Sequence, residues 1–249
     1  MTEPQQPPAA GTALIVCQDE PTRRLIRESL QPLAIRPEMC GEASTVAGVL
    51  DKQKFEAVIV DLLLGEQARL IMGQIRLSRA NRTAVTFAIT TGDKKRTSDE
   101  RMDAMFVLQR PLSVASVTQT LRAAYGLIVR ERRRYFRCPI AVQAFVRAGQ
   151  QDELLYKTVN ISEGGIALSG TAKLDPSLPA AVRFSLPEHT NQLFAETRVR
   201  WRNESGLVGL EFTSIALPHK SELQEWLARK LDETLPENVA ALFSTVAQS

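Results

Sequence analysis

Arg130-Glu131-Arg132-Arg133-Arg134-Tyr135-Phe136-Arg137 is the stretch that divides this chain. Five of its eight residues are arginine. A run this basic makes a poor core element, because buried guanidinium groups need partners. It makes a good anion site, since arginine offers a planar fork of donors that matches a phosphate or a guanine edge. Taken alone, the run also reads as an ordinary solvated linker. Its flanks carry the decision. Before it, strand-like and helix-like segments alternate; after it, the sequence is nearly all strand. The expected fold is an α/β doubly wound parallel sheet followed by an all-β six-stranded antiparallel barrel with a C-terminal helix.

Downstream, six short strands are expected: Pro139 to Arg147, Leu154 to Ile161, Ile166 to Ser169, Ala181 to Leu186, Leu193 to Trp201 and Leu207 to Thr213. The fifth alternates most clearly. Leu193, Ala195, Thr197, Val199 and Trp201 fall on one face, and Phe194, Glu196, Arg198, Arg200 and Arg202 on the other. From Pro218 to Leu235, the spacing of Leu223, Trp226, Leu227 and Leu231 predicts an amphipathic helix that covers the barrel. Ser221 with Gln224 has the spacing of a capping box.

Upstream, strands are expected at Ala13 to Cys17, Ile35 to Cys40, Phe55 to Asp61, Ala84 to Thr90 and Met105 to Leu108, with helical spacing between them. Pro21 suits a first helical turn, and the acidic residues before it suit the positive end of the helix. In parallel sheets ligands meet the carboxyl ends of strands. Asp19, Asp61, Thr90 and Arg110 all fall at such ends. The last helix of this half has no strong breaker before Arg130 and is expected to run into the arginine stretch.

Bulk properties bound the function. The 249 residues suit one or two domains. Residues 1–128 hold 16 Lys and Arg against 14 Asp and Glu, and the remainder 15 against 14. Neither half is a general polyanion binder, so a small anionic ligand is expected in preference to nucleic acid. Apolar runs such as Ala57-Val58-Ile59-Val60 are too short to span a bilayer, so no membrane insertion is expected. The start, with neither a basic segment nor an apolar core, reads as a disordered tail over 1–11, and the expected location is cytoplasmic. Cys17, Cys40 and Cys138 are widely spaced and read as buried thiols. No hydrolase or transferase motif is present, so no enzyme is expected.

Residues 12–128 resemble the receiver domain of two-component response regulators. The resemblance implies a Mg²⁺ site built on acidic residues after the first strand and on a phosphoacceptor aspartate ending the third. Asp61 matches the acceptor, Thr90 the hydroxyl after the fourth strand, and Pro111 the proline after the fifth. Gln18 stands where the family has one acid of the pair, leaving Asp19, and Arg110 stands for the family lysine. The implied metal ligands are Asp19 and Asp61, in a degenerate site.

Residues 129–235 resemble the PilZ domain, a receptor for cyclic di-GMP. The carriers are Arg132, Arg133 and Arg137, matching Arg-Arg-x-x-x-Arg, and Asn160, Ser162 and Gly165, matching Asp/Asn-x-Ser-x-x-Gly. The resemblance implies that these six residues bind the ligand. Arginine suits its phosphates and guanine edges. Gly165 would allow close approach or positive φ. Arg198 is expected on a face away from the motif. Residues 236–249 read as a C-terminal tail with one more short helix.

The functional expectation is a cyclic di-GMP-binding signalling effector, in which binding changes the domain arrangement or partner contacts. The alternatives are a phosphorylation-responsive response regulator and an adaptor whose barrel binds no nucleotide. The downstream protein partner or histidine kinase is not named by the sequence, and self-association as a homodimer stays open.

Overall fold

The computed structural model describes residues 9–91, 104–149, 152–171 and 174–234. The helix expected within 236–249 lies outside the described residues. Two compact units are present, one within Met1–Arg132 and the other Arg133–Glu233. The division comes a few residues later than the expected 128/129.

The first unit is a parallel sheet in the order β2-β1-β3-β4-β5. Its strands are β1 (Gly11–Val16), β2 (Ile35–Cys40), β3 (Ala57–Asp61), β4 (Val85–Thr90) and β5 (Phe106–Gln109). Its helices are α1 (Glu20–Leu30), α2 (Val46–Lys52), α3 (Glu66–Leu77) and α4 (Val114–Tyr135), the last ending in the other unit. This is the doubly wound order in which the chain reverses direction beside β1 and β3. All of β3 and β4 is buried, as expected for strands covered on both faces. One face packs Leu14, Val16, Val58 and Val60 against Val46 and Leu50 of α2 and Ile71 and Ile75 of α3. Ala10 and Gly11, expected within the tail over 1–11, are tied to the sheet instead. Ala10 donates its N–H to Ala34 O at 2.8 Å, and Gly11 already pairs with Ile35.

α4 is one helix of 22 residues that carries the chain from the first unit into the arginine stretch. Its apolar positions Val117, Leu121, Ala124, Ile128 and Val129 are buried. Near its end Glu131 is also buried, because Lys54 donates to its carboxylate at 2.6 Å and Thr83 through its hydroxyl.

The second unit is a closed antiparallel barrel. It comprises β7 (Gln143–Ala148), β8 (Leu154–Ser162), β9 (Gly165–Ser169), β10 (Ala180–Ser185), β11 (Gln192–Arg202) and β12 (Leu207–Ile215). Neighbours run β8-β7-β10-β11-β12-β9, and β9 returns to β8. A two-residue strand, β6 (Cys138–Pro139), adds to β8 through the pairs Cys138 with Ile161 and Pro139 with Asn160. The core includes Val146, Tyr156, Leu168, Val182, Phe184, Leu193 and Leu210. α5 (Leu217–Asp232) closes it with Leu223, Trp226 and Leu227. Each such side chain contributes about 1.5–3 kcal/mol when fully buried. The capping box expected at Ser221 and Gln224 does not form. The helix begins at Leu217 with Pro218 in its first turn, so Ser221 is already interior, and Gln224 donates to Glu163 at 3.2 Å.

Candidate functional site

The barrel positions a shallow cavity of about 230 Å³ beside the hairpin that joins β8 to β9. Glu163 and Gly164 form the turn. Ser162 pairs with Gly165 across it, and the Ser162 hydroxyl donates to Gly165 O at 3.3 Å. Gly164 O accepts the Phe212 N–H at 2.9 Å, which ties the hairpin to β12.

Gly165 is explained by the barrel itself. A Cβ there would lie 2.3 Å from Leu210 O, so only glycine lets β9 approach β12 this closely. Positive φ, one of the expected reasons, does not apply: the described positive-φ glycines are Gly65, Gly149 and Gly206.

Of the expected ligand residues, Arg137, Ser162 and Gly165 line the cavity. Arg132, Arg133 and Asn160 do not. Arg132 Nη1 lies 3.7 Å from Glu56, a buried carboxylate that also accepts the Thr12 N–H at 2.6 Å. Arg133 Nη2 lies 3.7 Å from Asp232, and both of those side chains are part-exposed. Asn160 sits in β8 between Pro139 of β6 and Ala167 of β9.

Residues outside the expected set complete the wall: Arg134 and Tyr135 from the end of α4, Arg200 and Trp201 from β11, and Glu211 from β12. Trp201 was expected on one face with Leu193, Ala195 and Thr197, which are buried, yet it is 43% exposed. The pairing of β11 with β12 shifts register between Val199 and Trp201, and this irregularity ends the alternation. Arg198 is not remote either. Its Nε donates to Glu211 at 2.9 Å, and that hydrogen bond holds the Glu211 carboxyl below its usual range. A larger cavity, of about 580 Å³, borders the Asn203–Gly206 turn and contains none of the motif residues.

The first unit has a second cluster at the carboxyl ends of its strands. Asp61 is 2% exposed. Arg110 grips it through two parallel bonds, Nη1 to Oδ1 and Nη2 to Oδ2, each 2.9 Å. The Leu63 N–H donates to Oδ1 at 3.1 Å, and the Cys17 thiol to Oδ2 at 3.1 Å. Burial, then the hydrogen bond to Asp61, pushes the Cys17 pKa up to about 12. The bond to Asp61 raises Arg110 above its already high range. Asp19 caps α1, accepting the Thr22 N–H at 2.9 Å, and the bonds from Thr22 lower its pKa. Thr90 ends β4, and its carbonyl accepts the Arg110 N–H at 2.8 Å.

These residues do not fit the Mg²⁺ expected at Asp19 and Asp61. The cation wants several hard oxygen ligands. Here a guanidinium covers both Asp61 oxygens and Asp19 is engaged at the helix cap. Among the described residues no group of three or more His, Cys, Asp or Glu is placed to hold a metal ion. Among the same residues no helix is long and apolar enough to cross a membrane.

Comparison with known proteins matches residues 131–229 to the family model of the PilZ domain. No curated protein matches the chain. Among solved structures, the Bacillus subtilis inhibitor of motility MotI/DgrA is 27% identical over 40% of this chain, with a TM-score of 0.34. The chain spans 50% of the length of that structure. The chemotaxis response regulator CheY4 of Vibrio cholerae is 16% identical, over 45% of this chain and 96% of its own, with a TM-score of 0.41. The PilZ domain of CeSA from a cellulose-synthesizing bacterium is 21% identical, over 38% of this chain and 97% of its own, with a TM-score of 0.32. By sheet order a doubly wound parallel sheet comes first, and the segment 131–229 that follows, which holds the barrel, matches the PilZ family model.

Proposed function

We propose that the protein is a cyclic di-GMP-binding effector and that the ligand is held at the cavity between the arginine segment and the Ser162–Gly165 hairpin. The observation that carries this reading is the convergence of Arg137, Ser162 and Gly165 on one cavity, within a segment that matches the PilZ model. The chemistry of the wall agrees. Arg134, Arg137 and Arg200 bring three guanidinium groups to a ligand with two phosphates and two guanines. Trp201 and Tyr135 offer part-exposed rings for base stacking.

The arginines divide their work in this reading. Arg133 joins the ligand by leaving Asp232, since an exposed pair at 3.7 Å contributes little. Its buried Nε has no hydrogen-bond partner among the described residues, and a phosphate oxygen would satisfy it. Arg132 stays with buried Glu56 and anchors the start of the segment. Ligand binding fixes the Arg133, Arg134 and Arg137 side chains, at a cost in entropy that lowers affinity. Equilibrium dialysis of the full chain against cyclic di-GMP, with GTP in excess as competitor, tests the reading. Saturable retention that survives GTP is expected, and loss of retention to GTP contradicts it.

A further inference from the structure

We propose that Arg110 permanently fills the place at Asp61 where a receiver would hold a divalent cation and accept a phosphoryl group, so that this unit keeps the fold without the chemistry. An ionised carboxylate has about four acceptor positions. At Asp61 four donors take them. Oδ1 receives the Leu63 N–H and Arg110 Nη1; Oδ2 receives Arg110 Nη2 and the Cys17 thiol. Phosphorylation needs one oxygen lone pair free to attack phosphorus in line, forming an O–P bond as the donor's P–O bond breaks. It also needs a cation to offset the charge that builds up. Here the lone pairs are engaged, and a second cation would meet the guanidinium already in place.

The pair is built to stay closed. Arg110 keeps its proton at any ordinary pH, so loss of its own charge does not open the pair. Withdrawing it would leave a carboxylate that is 2% exposed without its counter-charge. Arg110 also reaches α1, donating from Nη2 to the Thr22 hydroxyl at 3.3 Å. One side chain therefore joins the end of β3, the residue after β5 and the first turn of α1. The inference does not depend on nucleotide binding by the barrel.

Intact-mass measurement of the full chain, incubated with Mg²⁺ and acetyl phosphate, is the first test. No mass gain is expected. A gain of one phosphoryl group that disappears in Asp61→Asn overturns the proposal. The second test compares melting temperatures of Asp61→Asn, Arg110→Gln and the double variant. If the two side chains act as one pair, the double variant melts no lower than the worse single. A double variant that loses the sum of the two single shifts overturns the proposal.

Discussion

The indole of Trp201 lies against the backbone of Gly209, so close that a Cβ on Gly209 would come within 2.2 Å of its Nε1. The glycine thus creates the seat on which an aromatic ring rests at the cavity edge. The chain has two tryptophans, and the other, Trp226, is 2% exposed in the barrel core. Cyclic di-GMP should therefore change the emission of Trp201 alone. The ligand-induced change is expected to persist in Trp226→Phe and to vanish in Trp201→Phe. The reverse pattern would place the ligand elsewhere.

Gly165→Ala should loosen the barrel at the same edge. Its Cβ would meet Leu210 O, and overpacking of this kind costs about 1–3 kcal/mol. Urea unfolding followed by circular dichroism reads this as a lower midpoint. An unchanged midpoint would mean that β9 and β12 are not so closely apposed.

Much of this architecture was legible because burial leaves a plain mark. Unbroken runs such as Ala57 to Val60 signal strands covered on both faces, and the stripe of Leu223, Trp226 and Leu227 signals a helix on a core. Three of the six expected ligand residues, Arg137, Ser162 and Gly165, line the cavity, and they were legible for a different reason: they belong to a spaced motif. Arg200 and Trp201 were not, because they reach the cavity only through barrel closure and a register shift in β11. Period-two alternation cannot register either event. Arg110 was visible at a strand end. That its fork would engage both oxygens of Asp61 depends on side-chain reach across the sheet, which linear spacing does not encode.

Cys17 gives the pH dependence. Its thiol pKa rises from the usual 9.0 to about 12 in the folded chain. The folded state then holds this proton more tightly than the unfolded state, so the stabilisation is complete below pH 9 and is lost as pH climbs toward 12. Stability measured across that window should fall in the wild type and fall less steeply in Cys17→Ala. At pH 8 the folded protein should leave Cys17 unlabelled by iodoacetamide, as judged by peptide mapping.

Lys54→Met should destabilise the first unit by about 3–5 kcal/mol, the cost of removing the cation from a buried ion pair. Lys54 Nζ is 2.6 Å from Glu131, whose side chain is only 5% exposed. Chemical denaturation with a far-ultraviolet readout measures the loss. A change below about 1 kcal/mol would indicate an ordinary surface pair.

The central claim is that guanidinium groups of the arginine segment hold cyclic di-GMP against the β8–β9 hairpin. Isothermal titration calorimetry of the full chain, of Arg137→Ala and of Arg183→Ala tests it most directly. Arg183 is the matched control, because its guanidinium is bound to Glu153 at 2.6 Å and stacked 4.0 Å from the Phe145 ring. The account predicts saturable binding that weakens by about 1.5–3 kcal/mol in Arg137→Ala and is unchanged in Arg183→Ala. Equal losses in both variants, or no heat of binding in the wild type at millimolar ligand and low salt, would contradict it.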